Sequence, residues 1–383
     1  MNPSENSEIY LDFNATCPVH PSIRDSLTVW TARSGGNPSS PHSAGKKARD
    51  LVESARISVA ELVHAPAGNL IFTSGATESI LLVFYHFLSS VEPPVKVAIP
   101  RSEHPATLSA ARFIESWGAE ILFVQVNPDG QVDLDHLLHI LRNTPDLSFV
   151  SVAAANNETG VLQDPGTLAS LTRQFGIPLH IDASQWIGKL AWPELTRDQS
   201  PDFISFSGHK FGALKGVGAL VILGQGDKPF SSLMPGGGQQ AGLRGGTENV
   251  LGITSMGAAA RLVSSGAVSF NANTRDIFEM EIRKLFPDVV FHSCHVPRLP
   301  NTSLVAIPGF DAEVLVLKLS RLGIAISTGS ACSTGKLEPS HVLRAMNVPI
   351  NLIGSTFRVS TGHTTTTSHI NSLICSLSEL KAG

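Results

Sequence analysis

Charge is scarce in this 383-residue chain, with Asp, Glu, Lys and Arg making up 16% of it, against about 25% in an average soluble protein. With 42% hydrophobic residues, the shortage implies an extra buried surface, and a homodimer interface is the simplest use for one. A large, well-filled monomer is the alternative. Basic residues are not in excess either: the net charge is −4 and the pI is near 6.4. Without a basic stripe there is no nucleic-acid footprint. No apolar run approaches the ~20 residues of a membrane span. The longest, Ile80 to Leu88, is broken by His86 and reads as a buried helix. The opening MNPSENSEIY carries two glutamates and no basic residue, so neither a secretory nor a transit signal is expected. Cysteine is sparse as well. Cys17, Cys294, Cys332 and Cys375 are scattered, with no CxxC. That spacing suits neither a disulfide framework nor zinc, so no metal is expected and a reducing, cytoplasmic setting fits. Internal repeats are also missing, and Thr364–Thr367 is the nearest approach to low complexity.

What is present is an alternation. Between Asn69 and Asp202, strand-like NLIFT, VKVAI, EILFVQV, LSFVSVAA, IPLHID and DFISF are interleaved with helix-like segments. This pattern predicts an α/β domain with a mostly parallel central sheet and helices on both faces. Ligands in such sheets gather at the carboxyl ends of the strands. After the strand GVGALVIL comes a long glycine-rich loop, PGGGQQAGLRGGTENV, and then fewer, mixed elements. The length favours two domains at roughly 100–200 residues each. The expected division is a large domain over 19–252 and a smaller α+β domain made of 1–18 and 253–383.

The chain is organised around DFISFSGHKFGALKG, Asp202 to Gly216. A short apolar strand ends in a turn that delivers Lys210 to the edge of a sheet. Desolvation there lowers a lysine's pKa and makes its amine a nucleophile suited to a Schiff base with an aldehyde cofactor. A surface lysine beside a turn is the plain alternative. Asp182, 28 residues earlier, closes another short strand. A carboxylate and a lysine at neighbouring strand ends are what pyridoxal phosphate needs, one for the ring nitrogen and one for the aldehyde. Asp182 is otherwise a helix N-cap. The strand, small-residue turn and helix start at Ile71-Phe72-Thr73-Ser74-Gly75-Ala76-Thr77-Glu78 suit an anion site made from free N–H groups, with the Thr77 hydroxyl as a further donor, or an ordinary N-cap.

Four further positions follow strands or stand alone among apolar neighbours. His104 can stack on a planar ring, move a proton, or be structural. Asn157 and Gln185 can bond a ring hydroxyl or cap a helix. Arg358, in an apolar strand, needs a partner: a substrate carboxylate held bidentately, or a structural ion pair. Cys332 sits in Ser327-Thr328-Gly329-Ser330-Ala331-Cys332-Ser333-Thr334-Gly335, a small, polar surrounding that suits an exposed thiol on a loop. About ten such residues span some ~30 Å when extended.

The motifs YLDFNAT, GNPSSPHSAG, SGATES, SEHPA, NNETG, IDASQ, SFSGHKFGALKG, GGGQQAGLRGGTENV, PNTSLV and GSACSTGKLEPSHVLRAM occur in this order over nearly the whole chain. Together they resemble the class V, fold-type I pyridoxal phosphate enzymes, and among them the long-loop (NifS/IscS-like) cysteine desulfurases. The resemblance implies that Lys210 carries the covalent link to the cofactor and that Asp182 keeps the ring nitrogen protonated. Gln185 and Asn157 would face the ring hydroxyl, and His104 would stack on the ring. Ala76, Thr77, Ser207 and His209 would hold the phosphate, helped by Thr247 of the other protomer in a homodimer. Arg358, with Asn14 nearby, would take the carboxylate of L-cysteine. Cys332 would be the nucleophile, receiving sulfur as a persulfide while alanine leaves and passing it to an acceptor protein, as in iron–sulfur assembly. Selenocysteine lyase and aminotransferase are the alternatives. Cys17, Leu214 and His363 depart from the pattern, standing where relatives usually have threonine, proline and arginine. Cys17 thereby leaves open a second sulfur-carrying thiol.

Overall fold

The computed structural model describes residues 8–224, 229–329 and 339–382. Twelve strands are formed among them. β1 is Ile9–Tyr10, β2 Leu70–Thr73, β3 Lys96–Pro100, β4 Glu120–Val124, β5 Phe149–Ala153 and β6 Leu179–Asp182. β7 is Phe203–Ser207, β8 Gly218–Ile222, β9 Val290–Phe291, β10 Thr302–Ala306, β11 Ile324–Ala325 and β12 Thr356–Ser360. Seven of these make the main sheet in the order β2-β8-β7-β6-β5-β3-β4. Its pairings are parallel except for those of β8, which runs against both of its neighbours.

The alternation of side chains along each strand feeds two cores. Phe72, Val150, Val152, Ile181, Ile204, Phe206 and Val221 join one cluster with helices Ser43–Glu61 and Val250–Ser264. Ile71, Val97, Ile99, Phe149, Phe203, Leu220 and Ile222 join the other, with helices Ala76–Ser90 and Pro105–Glu115. Covered on both faces, the inner strands read as near-continuous apolar runs, as parallel strands in an α/β layer do. Several helices begin where a side chain caps them: Asp133 accepts from the His136 N–H at 2.9 Å, Asn249 from Gly252 at 3.0 Å and Asp311 from Glu313 at 2.9 Å.

The remaining part builds a third core on the antiparallel sheet β12-β10-β9 and the parallel pair β1-β11, packed by Phe278, Ile282, Leu315, Leu319, Phe357, Ile370 and Leu373. The N-terminal segment belongs to it structurally, because Leu11 donates to Ala325 and Ser360 donates back to Leu11. Helix Val250–Ser264 lies across the 252/253 division expected above, and its buried residues Ile253, Met256, Ala259 and Ala260 pack with the main-sheet core. It approaches helix Ser43–Glu61 so closely that a Cβ on Gly257 would stand 2.5 Å from Ala55 Cα, so only glycine fits there. Among the described residues no helix is long and apolar enough to cross a membrane.

Candidate active site

The parallel strands of the main sheet end on one side, and the segments that leave them converge. Ala76 and Thr77 follow β2, His104 follows β3, Asn157 follows β5, Gln185 follows β6 and Lys210 follows β7. All six, with Asp182, Ser207 and His209, line one cavity of about 210 Å³. A site at the carboxyl ends of the strands is where an open α/β sheet binds its ligand.

Lys210 sits on a single helical turn after β7, and its Nζ donates to the carbonyls of Asn14 at 2.7 Å and Ala15 at 3.1 Å. Burial lowers its pKa from the ordinary lysine value to about 8, Arg358 adds to the effect, and Asp182 and Asp12 oppose it. The amine is therefore part-neutral close to physiological pH, as a nucleophilic lysine must be. Asp182, 6% exposed, ends the neighbouring strand. It does accept the Ser184 N–H at 2.9 Å, the local turn that its sequence surroundings allow. Yet no lysine or arginine forms an ion pair with this carboxylate among the described residues, although it lines the cavity. Ser184 Oγ, also in the wall, is buried without a partner among the described residues.

His104 combines two roles that the sequence left open. Its Nδ1 accepts the Ala106 N–H at 3.1 Å and caps helix Pro105–Glu115, while the ring forms part of the cavity wall. Burial holds its pKa below the ordinary value, and Asp182 works against the shift. His209 donates to or accepts from Thr16 Oγ1 at 3.0 Å, and burial brings its pKa to about 4. Ser207 Oγ accepts the Ala76 N–H at 2.7 Å, so the end of β7 is fastened to the start of helix Ala76–Ser90. A cluster of N–H groups, hydroxyls and a ring nitrogen at that helix start is a chemistry that accepts a phosphate dianion.

Asn14 is 1% exposed and acts as a hub. Its carbonyl takes Lys210 and the Gln185 amide, and its side chain bonds Asn157 O, Thr302 and Asn301. Arg358, 2% exposed, does not line the cavity. Its Nη2 donates to Asp12 Oδ1 at 2.6 Å, its Nη1 to Asn157 O at 2.7 Å, and its Nε has no partner among the described residues. The structural ion pair considered for it is thus present. Thr247 is exposed and lies outside the cavity of its own chain. Cys332 lies outside the described residues. Cys17 is buried and burial pushes its thiol up to about 12, which removes it as a second sulfur-carrying thiolate near neutral pH.

Three buried charges were missed by reading the sequence. Glu103, beside His104, has its carboxyl raised to about 8, chiefly by burial, and accepts the Ala153 N–H at 2.8 Å. Glu158, beside Asn157, is likewise raised by burial and accepts the Ser340 hydroxyl at 2.6 Å. Lys189, four residues after Gln185, is 5% exposed. Glu103 and Glu158 stand next to residues singled out by motif, and Lys189 lies one helical turn's spacing after another; that proximity was the available signal.

A lysine amine, a carboxylate lacking a cation and an anion cradle around one cavity are the donor set for pyridoxal phosphate, and they sit on the α/β layer of a fold-type I enzyme. The aminotransferase class-V family model matches residues 9–373, and the chain belongs to that family. Within it the relatives are cysteine desulfurases. The chain is 36% identical over 368 residues to the "Cysteine desulfurase IscS" of Dictyoglomus turgidum, covering 95% of this chain and 92% of that one. It is 37% identical over 372 residues to "Cysteine desulfurase NifS" of Azotobacter vinelandii, covering 96% and 91%. The solved structure of a "NIFS-like protein" superposes with a TM-score of 0.88 at 29% identity, over 98% of this chain and 99% of that one. Coverage this complete means that all three sheets, and not only the cofactor-binding layer, are shared.

Proposed function

We propose that this protein removes sulfur from L-cysteine, releasing L-alanine and leaving a persulfide on Cys332 for a protein acceptor. The observation that carries this reading is the buried Lys210, its pKa brought to about 8, at the end of the strand beside that of Asp182. Bound pyridoxal phosphate supplies an electron sink that allows the Cα–H bond of an amino acid to break. Lys210 would hold the cofactor and, as a neutral amine, would take the Cα proton and return a proton to the product. Asp182 would keep a proton on the ring nitrogen, Gln185 and Asn157 would face the ring hydroxyl, and His104 would cover the ring. Ala76, Thr77, Ser207 and His209 would hold the phosphate. Arg358, with Asn14, would orient the substrate carboxylate by exchanging its present partners, Asp12 and the Asn157 carbonyl, for it.

Cys332 acts as a thiolate, because the thiol is a poor nucleophile. Its sulfur bonds the substrate sulfur as the substrate's C–S bond breaks, and the electron pair of that bond passes to the departing alanine carbon, which is then protonated. The neighbouring described residues support its access to the site. Before it, Ser327 is bridged to Arg358, and after it Ser340 bonds Glu158 and His341 bonds the Glu103 carbonyl at 2.8 Å.

The same proposal includes a homodimer in which Thr247 completes the partner's phosphate site, a cytoplasmic location, and a large domain that extends through helix Val250–Ser264, with 1–18 counted in the small domain. The experiment is Cys332→Ser. The variant is expected to keep the wild-type visible spectrum with pyridoxal phosphate yet release almost no sulfide or alanine from L-cysteine. Mass spectrometry of the wild type after limited cysteine should find one extra sulfur on the Cys332 peptide. Wild-type turnover by Cys332→Ser, or a keto-acid product, rejects the desulfurase reading in favour of an aminotransferase.

A further inference from the structure

Lys189 is 5% exposed in a chain that has water available to most of its charges. A lysine is almost never buried so fully unless it is paired. No carboxylate lies within ion-pair distance of it among the described residues. What surrounds it instead are Lys210 and Arg358, which disfavour its charge, and Cys17 and Asp12, which favour it. The Phe270 ring lies 6.0 Å from its Nζ. Burying a charge or an amine in such a place costs free energy that packing does not return, so its hydrogen bonds are the feature to explain.

Those bonds go to two amide oxygens, Asn14 Oδ1 at 2.6 Å and Gln185 Oε1. The direction of both amides is set by main-chain carbonyls, which only accept. Asn14 Nδ2 donates to Asn157 O at 3.1 Å, and Gln185 Nε2 donates to Asn14 O at 2.9 Å. The oxygens therefore face Lys189 and only donors can satisfy them; Asn14 Oδ1 also accepts the Asn301 amide at 3.2 Å, whereas Gln185 Oε1 accepts from Lys189 alone among the described residues. The Asn14 carbonyl is also the acceptor of Lys210 Nζ at 2.7 Å. A continuous chain of bonds thus runs from Lys189 through Gln185 and Asn14 to Lys210.

We propose that Lys189 is a positioning residue: by satisfying the oxygen ends of Gln185 and Asn14 it fixes the Gln185 amide against the cofactor ring and the Asn14 carbonyl against the Lys210 amine. This rests on the reading of the cavity as a pyridoxal phosphate site. Without the Lys189 donor, Gln185 Oε1 would be buried unpaired, and the amide would turn to find another partner, withdrawing Nε2 from its present direction.

The test uses the full-length protein, pyridoxal phosphate and the variants Lys189→Met and Lys189→Gln. Lys189→Met keeps the volume and removes the donors; Lys189→Gln keeps two N–H donors on a chain one bond shorter. Lys189→Met is expected to weaken pyridoxal phosphate binding about tenfold and to move the pH midpoint of the visible band by about one unit, with Lys189→Gln between it and the wild type. Cofactor-free Lys189→Met should melt no lower than cofactor-free wild type, because a buried amine has been replaced by an apolar chain. Both variants showing the wild-type Kd and midpoint would overturn the inference. If Lys189→Met does not fold, a Lys189→Gln protein indistinguishable from wild type in both readouts overturns it equally. A wild-type protein that takes up no pyridoxal phosphate overturns the cofactor reading and this inference with it, whereas wild-type uptake matched by the variants overturns the inference alone.

Discussion

Lys210 shows how far a single side chain is remade by its surroundings. Exposed, it would be a cation at any physiological pH; in the site, burial and Arg358 bring its pKa to about 8. Because the neutral amine is the nucleophile, covalent uptake of pyridoxal phosphate by the cofactor-free protein should speed up as pH rises, half-maximal near 8. Stopped-flow absorbance across pH 6–10, roughly the range bracketing that value, checks this, and Lys210→Ala should show no covalent phase at any pH. Arg358 makes a different kind of prediction. Its planar fork already serves Asp12 and the Asn157 carbonyl, and a lysine cannot replace two parallel donors. Arg358→Lys should raise KM for L-cysteine about tenfold or more with a smaller fall in kcat, the pattern of lost binding common to ground and transition states. Steady-state assays with cysteine as the varied substrate decide it.

At the scale of elements, the glycine-rich segment after β8 is held to the sheet by two side chains. Gln240 Oε1 accepts the Phe72 N–H at 2.9 Å on β2, the edge strand, and also Arg56 Nη1 at 3.0 Å. Arg244 pairs with Glu78 at 2.8 Å, in the first turn of helix Ala76–Ser90. Glu78 in turn accepts the Ser74 N–H, which ties this segment to the turn proposed to hold the phosphate. Gln240→Leu leaves the Phe72 N–H without an acceptor in a buried setting and should cost about 1–3 kcal/mol. Urea unfolding monitored by fluorescence should show the midpoint fall with an unchanged slope. Since Thr247 follows on the same segment, the variant should also bind pyridoxal phosphate more weakly, measured by titration.

For the whole molecule, pH sets stability through groups that folding keeps uncharged. His86, His180 and His292 are buried and have pKa values of about 4, whereas an unfolded histidine titrates near 6.5. Between those values the unfolded chain binds more protons, so stability falls as pH drops from about 6.5 towards 4. Glu103 acts at the other end. Its folded pKa of about 8 lies above the unfolded value of about 4.3, so the stability it contributes is fully present below that unfolded value and is lost progressively as pH rises from there to 8. Thermal unfolding should peak near about pH 6.5, falling towards pH 4 through the histidines and falling from about 6.5 to 8 through Glu103. His180→Asn should flatten the acid limb of the cofactor-free protein. A flat profile from pH 4.5 to 8, taken here as roughly the interval between the two titrations, would contradict the assignment. At the same scale, light scattering at dilute concentration should report a dimer, and a fully active monomer would rule out a shared site.

The sequence by itself determined the order of elements and the residues that meet in the cavity. Short, near-continuous apolar runs and punctuating Gly, Pro and Asp are local signals, and the residues just after Thr73, Pro100, Ala153, Asp182 and Ser207 share one side because parallel strands must. It also carried the family, through motifs spread from Tyr10 to Met346. What only the tertiary structure decided are relations between distant residues. That Asp12 pairs with Arg358, that the Asn14 carbonyl meets Lys210, and that Lys189 donates to Asn14 depends on the N-terminal segment crossing to the second sheet. Burial is likewise a property of the assembled fold. Glu103 and Glu158 read as ordinary charges in a motif, and only their enclosure between strand ends and helix starts raises their pKa values, because removal from water penalises the charged form.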